Sequence, residues 1–236
     1  MTELLVEILS EEIPARLQLG GAEDLRKIIS RKLQELELSF DIATAYVTPR
    51  RITVVVNGLP SQQPDQVEER KGPRITASEQ AIEGFLKSVG CTSLDDGGIE
   101  IRNVKGTEFY FVKRLLHGRS TSSLLPGLIS DSVVELRWPK SMRWGVGRLR
   151  WVRPIHSILC VFNGVRLEGQ INFDTVVGQA VSNSISFGNM TQGHRVLAPK
   201  FFRVRNFKEY KIELHKSFVV LETEERQRRI SQALEI

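Results

Sequence analysis

The sequence predicts an α+β fold made of several small mixed or antiparallel sheets with packed helices, spread over more than one module. Three observations lead to it. The first residues read as a β-α-β-β unit, two later hairpins are marked by Gly106 and by Asn163-Gly164, and amphipathic stretches lie between them. With 236 residues, 41% hydrophobic and 26% charged, the chain has ordinary globular composition and the length of one large domain or two to three small ones.

Leu4 to Leu9 alternates as a strand does and is ended by Ser10-Glu11-Glu12-Ile13-Pro14. From Ala22 to about Leu38, the residues Leu25, Ile28, Ile29, Leu33 and Leu36 recur at helical spacing with charges between them. Ala43–Val47 and Ile52–Val56 follow as strands, interrupted by Thr48-Pro49-Arg50-Arg51, where proline limits pairing. Residues 57–74 are rich in turn formers and charge and predict a loop or linker. Ser78–Val89 is a second helix with Gly90 at the position that closes helices. Ile99–Arg102 and Phe109–Leu116 flank Asn103-Val104-Lys105-Gly106 as a short-loop hairpin, and Ser122–Leu136 is a helix with Pro126 near its start.

Ile155–Phe162 and Val165–Phe173 are strand-like runs joined by Asn163-Gly164, the dipeptide that best fits a two-residue type I′ turn. Residues 174–208 mix short β-like runs with Gly, Asn and Ser and yield no assignment. Asn206–Leu214 reads as a helix, Ser217–Leu221 as a strand, and Glu222 onward as a helix running to the last residue without a stop signal, as expected of a piece of a longer protein. The expected modules are residues 1–60, a helix-hairpin-helix part over 61–136, a basic β-rich part over 137–221, and the helix of 222–236.

Charge is unevenly placed. The chain carries +5 in total, yet between Leu136 and Lys208 there are 12 Lys/Arg against two acids, Glu168 and Asp174, so the remainder is net negative. Such asymmetry points to a polyanionic partner or to an acidic protein surface. No run approaches the roughly 20 apolar residues of a membrane-spanning helix, and acids stand where a signal peptide carries positive charge, so the cytoplasm is the expected location. Cys91 and Cys160 have no CxxC or Cys/His neighbourhood and read as ordinary buried or half-buried thiols.

The catalytic inventory is thin. His117, His156, His194 and His215 fall in no HExxH pattern and read as structural or surface residues, no GxSxG elbow occurs, and Gly145-Val146-Gly147-Arg148-Leu149-Arg150 has arginine where the third glycine of the dinucleotide fingerprint belongs. Glu11 and Glu12 are adjacent, so their side chains point apart on an extended chain. No metal site and no catalytic residue are expected. What stands out is Arg137-Trp138-Pro139-Lys140-Ser141-Met142-Arg143-Trp144, followed by Arg148, Arg150-Trp151-Val152-Arg153, which holds all three tryptophans, six Lys/Arg and no acid. Guanidinium groups grip phosphates in pairs of hydrogen bonds, and indole faces can stack on bases. The alternative is that the tryptophans anchor the following hairpin while arginine stems lie over them. Lys140, Arg143 and Arg148 lead as phosphate contacts, with Arg150 and Arg153 beside them; Trp138, Trp144 and Trp151 are expected to pack.

These residues also carry a resemblance. LLVEILSEEIPAR (4–16), TPRRITVVV (48–56), KGPRITA (71–77), AIEGFLKSVG (81–90), PKSMRWG (139–145), VRPIHSILCVFNG (152–164), GHRV (193–196) and VVLETEERQRRI (219–230) resemble, in order and spacing, the N-terminal part of the bacterial glycyl-tRNA synthetase β-subunit family. Arg74, Ser157 and Val196 depart from that pattern. The resemblance implies part of a glycine-tRNA ligase, with an α-subunit partner holding ATP and glycine, tRNA for glycine as a second partner, an α2β2 assembly, and ATP and Mg used by the complete enzyme but not bound by this segment. The five basic residues above would then face tRNA. The other reading is a non-catalytic scaffold whose basic patch docks a partner protein. A hydrolytic editing role is opposed by the scarcity of usable His, Cys and paired carboxylates.

Overall fold

A computed structural model describes residues 2–94, 98–144, 149–172 and 184–235. In chain order the first elements are β1 (Glu3–Ser10), α1 (Ala15–Glu35), β2 (Ile42–Thr48), β3 (Arg51–Asn57), β4 (Gln66–Arg74), α2 (Glu79–Val89), β5 (Ile99–Val104) and β6 (Thr107–Leu116). They are followed by α3 (Thr121–Glu135), β7 (Ile155–Phe162), β8 (Val165–Arg166), β9 (Gln170–Asn172), β10 (Ser184–Gly188), β11 (Met190–Gln192), β12 (Phe201–Arg203), α4 (Phe207–Lys216) and α5 (Thr223–Leu234). The result is the α+β class, with mixed and antiparallel sheets. Two compact units are present, one of residues 1–63 and 119–236, the other of 64–118.

In the first unit the main sheet runs β2-β3-β1-β7-β10-β9, with β8 on the end of β7. β1 is central, antiparallel to both β3 and β7, and buried on both faces. Its period of two divides the interior. Leu4, Val6 and Ile8 join Val54, Val56, Ile158 and Cys160 in one core, closed by Leu25, Ile29 and Leu33 of α1 and by Leu125, Ile129 and Val133 of α3. Leu5 points the other way, with Val55, Leu159 and Val161, into a smaller core closed by Val204, Leu221 and Tyr210 and Leu214 of α4. Each such aliphatic side chain, fully buried, contributes roughly 1.5–3 kcal/mol. Segments 1–60 and 137–221 thus supply neighbouring strands to a single sheet, and α3, from the 61–136 stretch, packs on that sheet's core.

Several elements differ from the sequence expectation, each for a tertiary reason. α1 starts at Ala15, ahead of Ala22, and runs through Gly20 and Gly21 despite their low helix propensity. Gly21 is there for clearance: a Cβ on it would stand 2.2 Å from the Trp138 ring. Val165–Phe173 is not one strand, because β10 lies parallel to β7 at Phe187↔Ile158 and occupies the edge a longer β8 would use; β9 pairs with β10 instead, and Phe173 lies outside the described residues. The turn between β7 and β8 is as expected, with Asn163 and Gly164 both at positive φ. Residues 217–221 form a turn rather than a strand: α4 closes at Ser217, Phe218 takes φ 60°, and the Val219 N–H bonds the Leu214 carbonyl at 2.9 Å. Of the unassigned stretch 174–208, residues 184–208 supply β10, β11 and β12 and the start of α4, whose Asn206 side chain accepts from the Glu209 N–H at 2.8 Å.

The second unit is a sheet in the order β4-β6-β5 with α2. β4 falls within residues expected to be a loop. Its Gln66–Lys71 stretch pairs with Leu116–Phe111 of β6, and those six residues are exposed, so neither face imposes the apolar alternation that marks a strand in sequence. Cross-strand charge takes its place: Arg102 of β5 reaches Glu69 at 3.0 Å.

Candidate nucleic-acid interface

The basic, tryptophan-rich segment leaves α3 and reaches β7 along the edge of the larger core. Trp138 and Trp151 are buried, stand edge to face with ring centroids 5.3 Å apart, and pack with Ile13, Ala22 and Leu25; Trp144 lies partly buried against the same core. The indole Nε1–H groups of Trp138 and Trp151 are buried without an acceptor among the described residues, costing about 1–3 kcal/mol each, so ring packing carries the arrangement. The chain between the two is drawn together by a two-way bridge, Met142 N–H to the Trp151 carbonyl at 2.8 Å and Trp151 N–H to the Met142 carbonyl at 3.1 Å. Trp138 and Trp151 are therefore the anchor and not a stacking platform.

What the anchor presents to solvent is positive. Lys140, Arg143 and Arg150 are exposed, and none makes an ion pair among the described residues. Arg150 Nε is 3.2 Å from Ser141 Oγ, which ties the two sides of the bridge together. Arg153 is half-buried and donates to the Val152 carbonyl at 2.9 Å, so its guanidinium is less free than the others. Arg148 lies outside the described residues. The described part of the set thus comes together on one bridged stretch, with no carboxylate bonded to it.

Two features were not singled out from sequence. The first is a buried polar network on the small-core face of the main sheet. Glu7 of β1 accepts hydrogen bonds from Thr191 Oγ1 and Tyr210 OH and faces Arg51 Nε at 3.0 Å, close enough for an ion pair though off-line for a hydrogen bond. Arg51 also donates to the Gln192 carbonyl at 2.6 Å, and Tyr210 OH lies 2.8 Å from Thr53 Oγ1. Burial, and then the Glu7 carboxylate, push the Tyr210 phenol well above its ordinary value. The network couples β1, β3, β11 and α4, so it is a structural clasp.

The second is a cleft of about 520 Å³ in the first unit, lined among others by Glu12, Arg50, His194, Arg195, Phe218 and Arg226. These come from SEEIPAR, TPRR, GHRV, the turn after α4 and VVLETEER, so four of the segments that carry the resemblance meet there. Beside it, His156 Nε2 lies 2.6 Å from Glu11 Oε1, which Arg50 approaches at 3.7 Å, while Arg195 lies 3.8 Å from Glu11 Oε2. The His156 hydrogen bond, aided by the charges of Arg50 and Arg195, holds the Glu11 carboxyl below the ordinary range. The remaining histidines are also accounted for at the surface: His117 faces Asp65 at 3.2 Å and His215 Nε2 faces Arg229 at 2.9 Å. Both cysteines are free thiols, Cys160 buried and Cys91 half-buried. Among the described residues no cluster of three His, Cys, Asp or Glu could hold a metal, and no helix is long and apolar enough to cross a membrane.

The sequence profile described as glycyl-tRNA synthetase beta subunit matches residues 4–236 of this chain. The chain belongs to the glycyl-tRNA synthetase beta-subunit family. It is similar to the glycine–tRNA ligase beta subunit of Rhodospirillum centenum, 40% identical over 98% of this chain and 34% of that protein. The corresponding subunits of a Ruegeria species and of Paracoccus denitrificans are 42% and 38% identical, each over 98% of this chain and 32% of theirs. The chain therefore spans about a third of the length of the curated relatives it matches. Membership covers both the tryptophan-anchored stretch and the cleft, since the matched range includes all the residues named at either place.

Proposed function

We propose that this segment takes part in glycyl-tRNA synthesis as the tRNA-contacting and α-subunit-assembling front of a glycine–tRNA ligase β subunit. The observation that carries the reading is the exposure of Lys140, Arg143 and Arg150 on a stretch whose sequence holds no acid, anchored by buried tryptophans and left without ion pairs among the described residues. Lysine and arginine free of carboxylates are the groups that replace counterions on an RNA backbone. Arg153 belongs to the same stretch, and Arg148 lies within it in sequence. In the complete enzyme, a cytoplasmic α2β2 assembly, the α subunit supplies the site where ATP and Mg activate glycine, and this segment contributes binding rather than bond-making groups.

The test is filter binding of tRNA for glycine to the wild type and to a Lys140→Ala/Arg143→Ala variant over a series of salt concentrations. Loss of two phosphate contacts weakens binding and lowers the slope of log affinity against log salt by about 1.4–1.8. Superimposable curves would remove the tRNA reading. Co-elution with α subunit by both proteins, with no tRNA binding by either, would favour the scaffold reading in its place.

A further inference from the structure

The cleft at the Arg50–Arg195 end of the first unit has a composition unlike that of a solvated surface. Its volume of about 520 Å³ lies within the roughly 300–1,000 Å³ of ligand pockets. Arg50 and Arg195 share one carboxylate, Glu11, at 3.7 and 3.8 Å, too far for hydrogen bonds, and Arg50 Nε is buried with no hydrogen-bond partner among the described residues. Two guanidinium groups thus keep donors in reserve. Arg226, by contrast, is committed to the Val220 and Leu221 carbonyls and helps to form the wall.

The apolar side of the cleft is equally unusual. Phe218 is 62% exposed and Val196 75% exposed, both lining the cleft. Phe218 also holds φ at 60°, a conformation that is strained for a bulky side chain and that persists where surroundings enforce it. The surroundings do so here. The His194 N–H bonds the Ser217 carbonyl at 2.8 Å, and Gly193 packs so closely that a Cβ on it would stand 2.4 Å from Ser217 Cβ. His194 Nδ1 accepts the N–H groups of Val196 and Leu197 at 3.2 and 3.1 Å, so a neutral His194 carries its proton on Nε2 as a donor. The loop after β11 and the turn after α4 are therefore locked together in a way that keeps an aromatic ring in water beside two underused arginines.

We infer that this cleft holds an unpaired nucleotide of RNA, its phosphate on Arg50 and Arg195 and its base against Phe218. A flat apolar ring next to guanidinium donors is the pairing that single-stranded nucleic acid requires, and an acidic peptide has no use for the ring. Glu12, an acid lining the same cleft, supplies an acceptor for a ribose hydroxyl. None of the residues that line the cleft belongs to the Lys140–Arg150 stretch.

The experiment measures fluorescence anisotropy of a labelled single-stranded hexaribonucleotide of mixed sequence, over a series of salt concentrations starting low, with wild type, Phe218→Gly, Arg195→Ala and Lys140→Ala/Arg143→Ala. Glycine is at ease at φ 60°, so Phe218→Gly removes the ring without straining the fold, which a thermal melt checks. The expected result is roughly tenfold weaker binding for Phe218→Gly with an undiminished melting temperature, and a lowered salt slope for Arg195→Ala. Equal affinity of wild type and Phe218→Gly overturns the inference. So does equal competition by a polyglutamate peptide. Loss of binding in Lys140→Ala/Arg143→Ala with Phe218→Gly unaffected would leave the tRNA proposal standing and the cleft refuted; the opposite pattern would do the reverse.

Discussion

Two adjacent glycines in one helix are predicted to respond oppositely to the same substitution. Gly20 and Gly21 both lie within α1, and alanine at either gains up to about 1 kcal/mol of helix propensity. At Gly20 a Cβ meets nothing within 4 Å, so that gain is expressed and Gly20→Ala stabilises the protein. At Gly21 the Cβ falls 2.2 and 2.5 Å from two carbons of the Trp138 ring, which has to move. Overpacking of this kind costs about 1–3 kcal/mol, and moving Trp138 loosens its edge-to-face pair with Trp151, worth about 0.5–1.5 kcal/mol more. Against the propensity gain, the net for Gly21→Ala is a loss of about 0.5–3.5 kcal/mol. Urea denaturation followed by tryptophan fluorescence reads both variants: with a slope of about 1–3 kcal/mol per molar, the midpoint of Gly21→Ala falls by roughly 1 M while that of Gly20→Ala does not fall. On the proposed function, Gly21→Ala is expected to weaken tRNA binding as well, since Trp138 anchors the basic stretch, without altering a charge. A Gly21→Ala protein as stable as Gly20→Ala would refute the account of why glycine occupies that turn of the helix.

Glu7→Gln removes the charge that faces buried Arg51 and destabilises by about 3–5 kcal/mol, measured as the shift in unfolding free energy; a shift below 1 kcal/mol would mean the clasp is not an ion pair in solution. The carboxyl of Glu11 is held low by His156, Arg50 and Arg195, so its contribution is fully present above the ordinary value of 4.5 and is lost as pH falls through its lower folded value. The stability gap between wild type and Glu11→Gln should therefore be small, since the group is 37% exposed and screened, and should close below pH 4.5; a gap that widens with acid would contradict the assignment. Burial raises the Cys160 thiol and encloses it, so a thiol reagent at neutral pH labels half-buried Cys91 first and reaches Cys160 only on unfolding; equal rates at both would exclude that burial.

How far the site was legible in sequence depends on whether its signal is local. The basic stretch was legible because charge and tryptophan crowd into one short run, and the preference for tryptophan as packing followed from its size. The cleft was not, because Glu12, Arg50, Arg195 and Phe218 are far apart along the chain and no one of them is unusual in place. Nor was Glu7: a lone acid in an alternating strand reads as a solvent-facing residue until α4 is seen to cover that face.

By itself the sequence determined the α+β class, β1, β3, most of α1 to α5, the Asn163-Gly164 turn and membership of the glycyl-tRNA synthetase beta-subunit family, because periodicity, turn chemistry and ordered motifs act over a few residues. Only the tertiary structure decided that β7 sits beside β1, that β10 interrupts the second hairpin, that exposed β4 is a strand and that 217–221 is a strained turn. The physical reason is common to all four. Strand partners and close approaches are chosen by backbone groups and surfaces distant along the chain, and no local pattern of side chains encodes which distant surface will arrive.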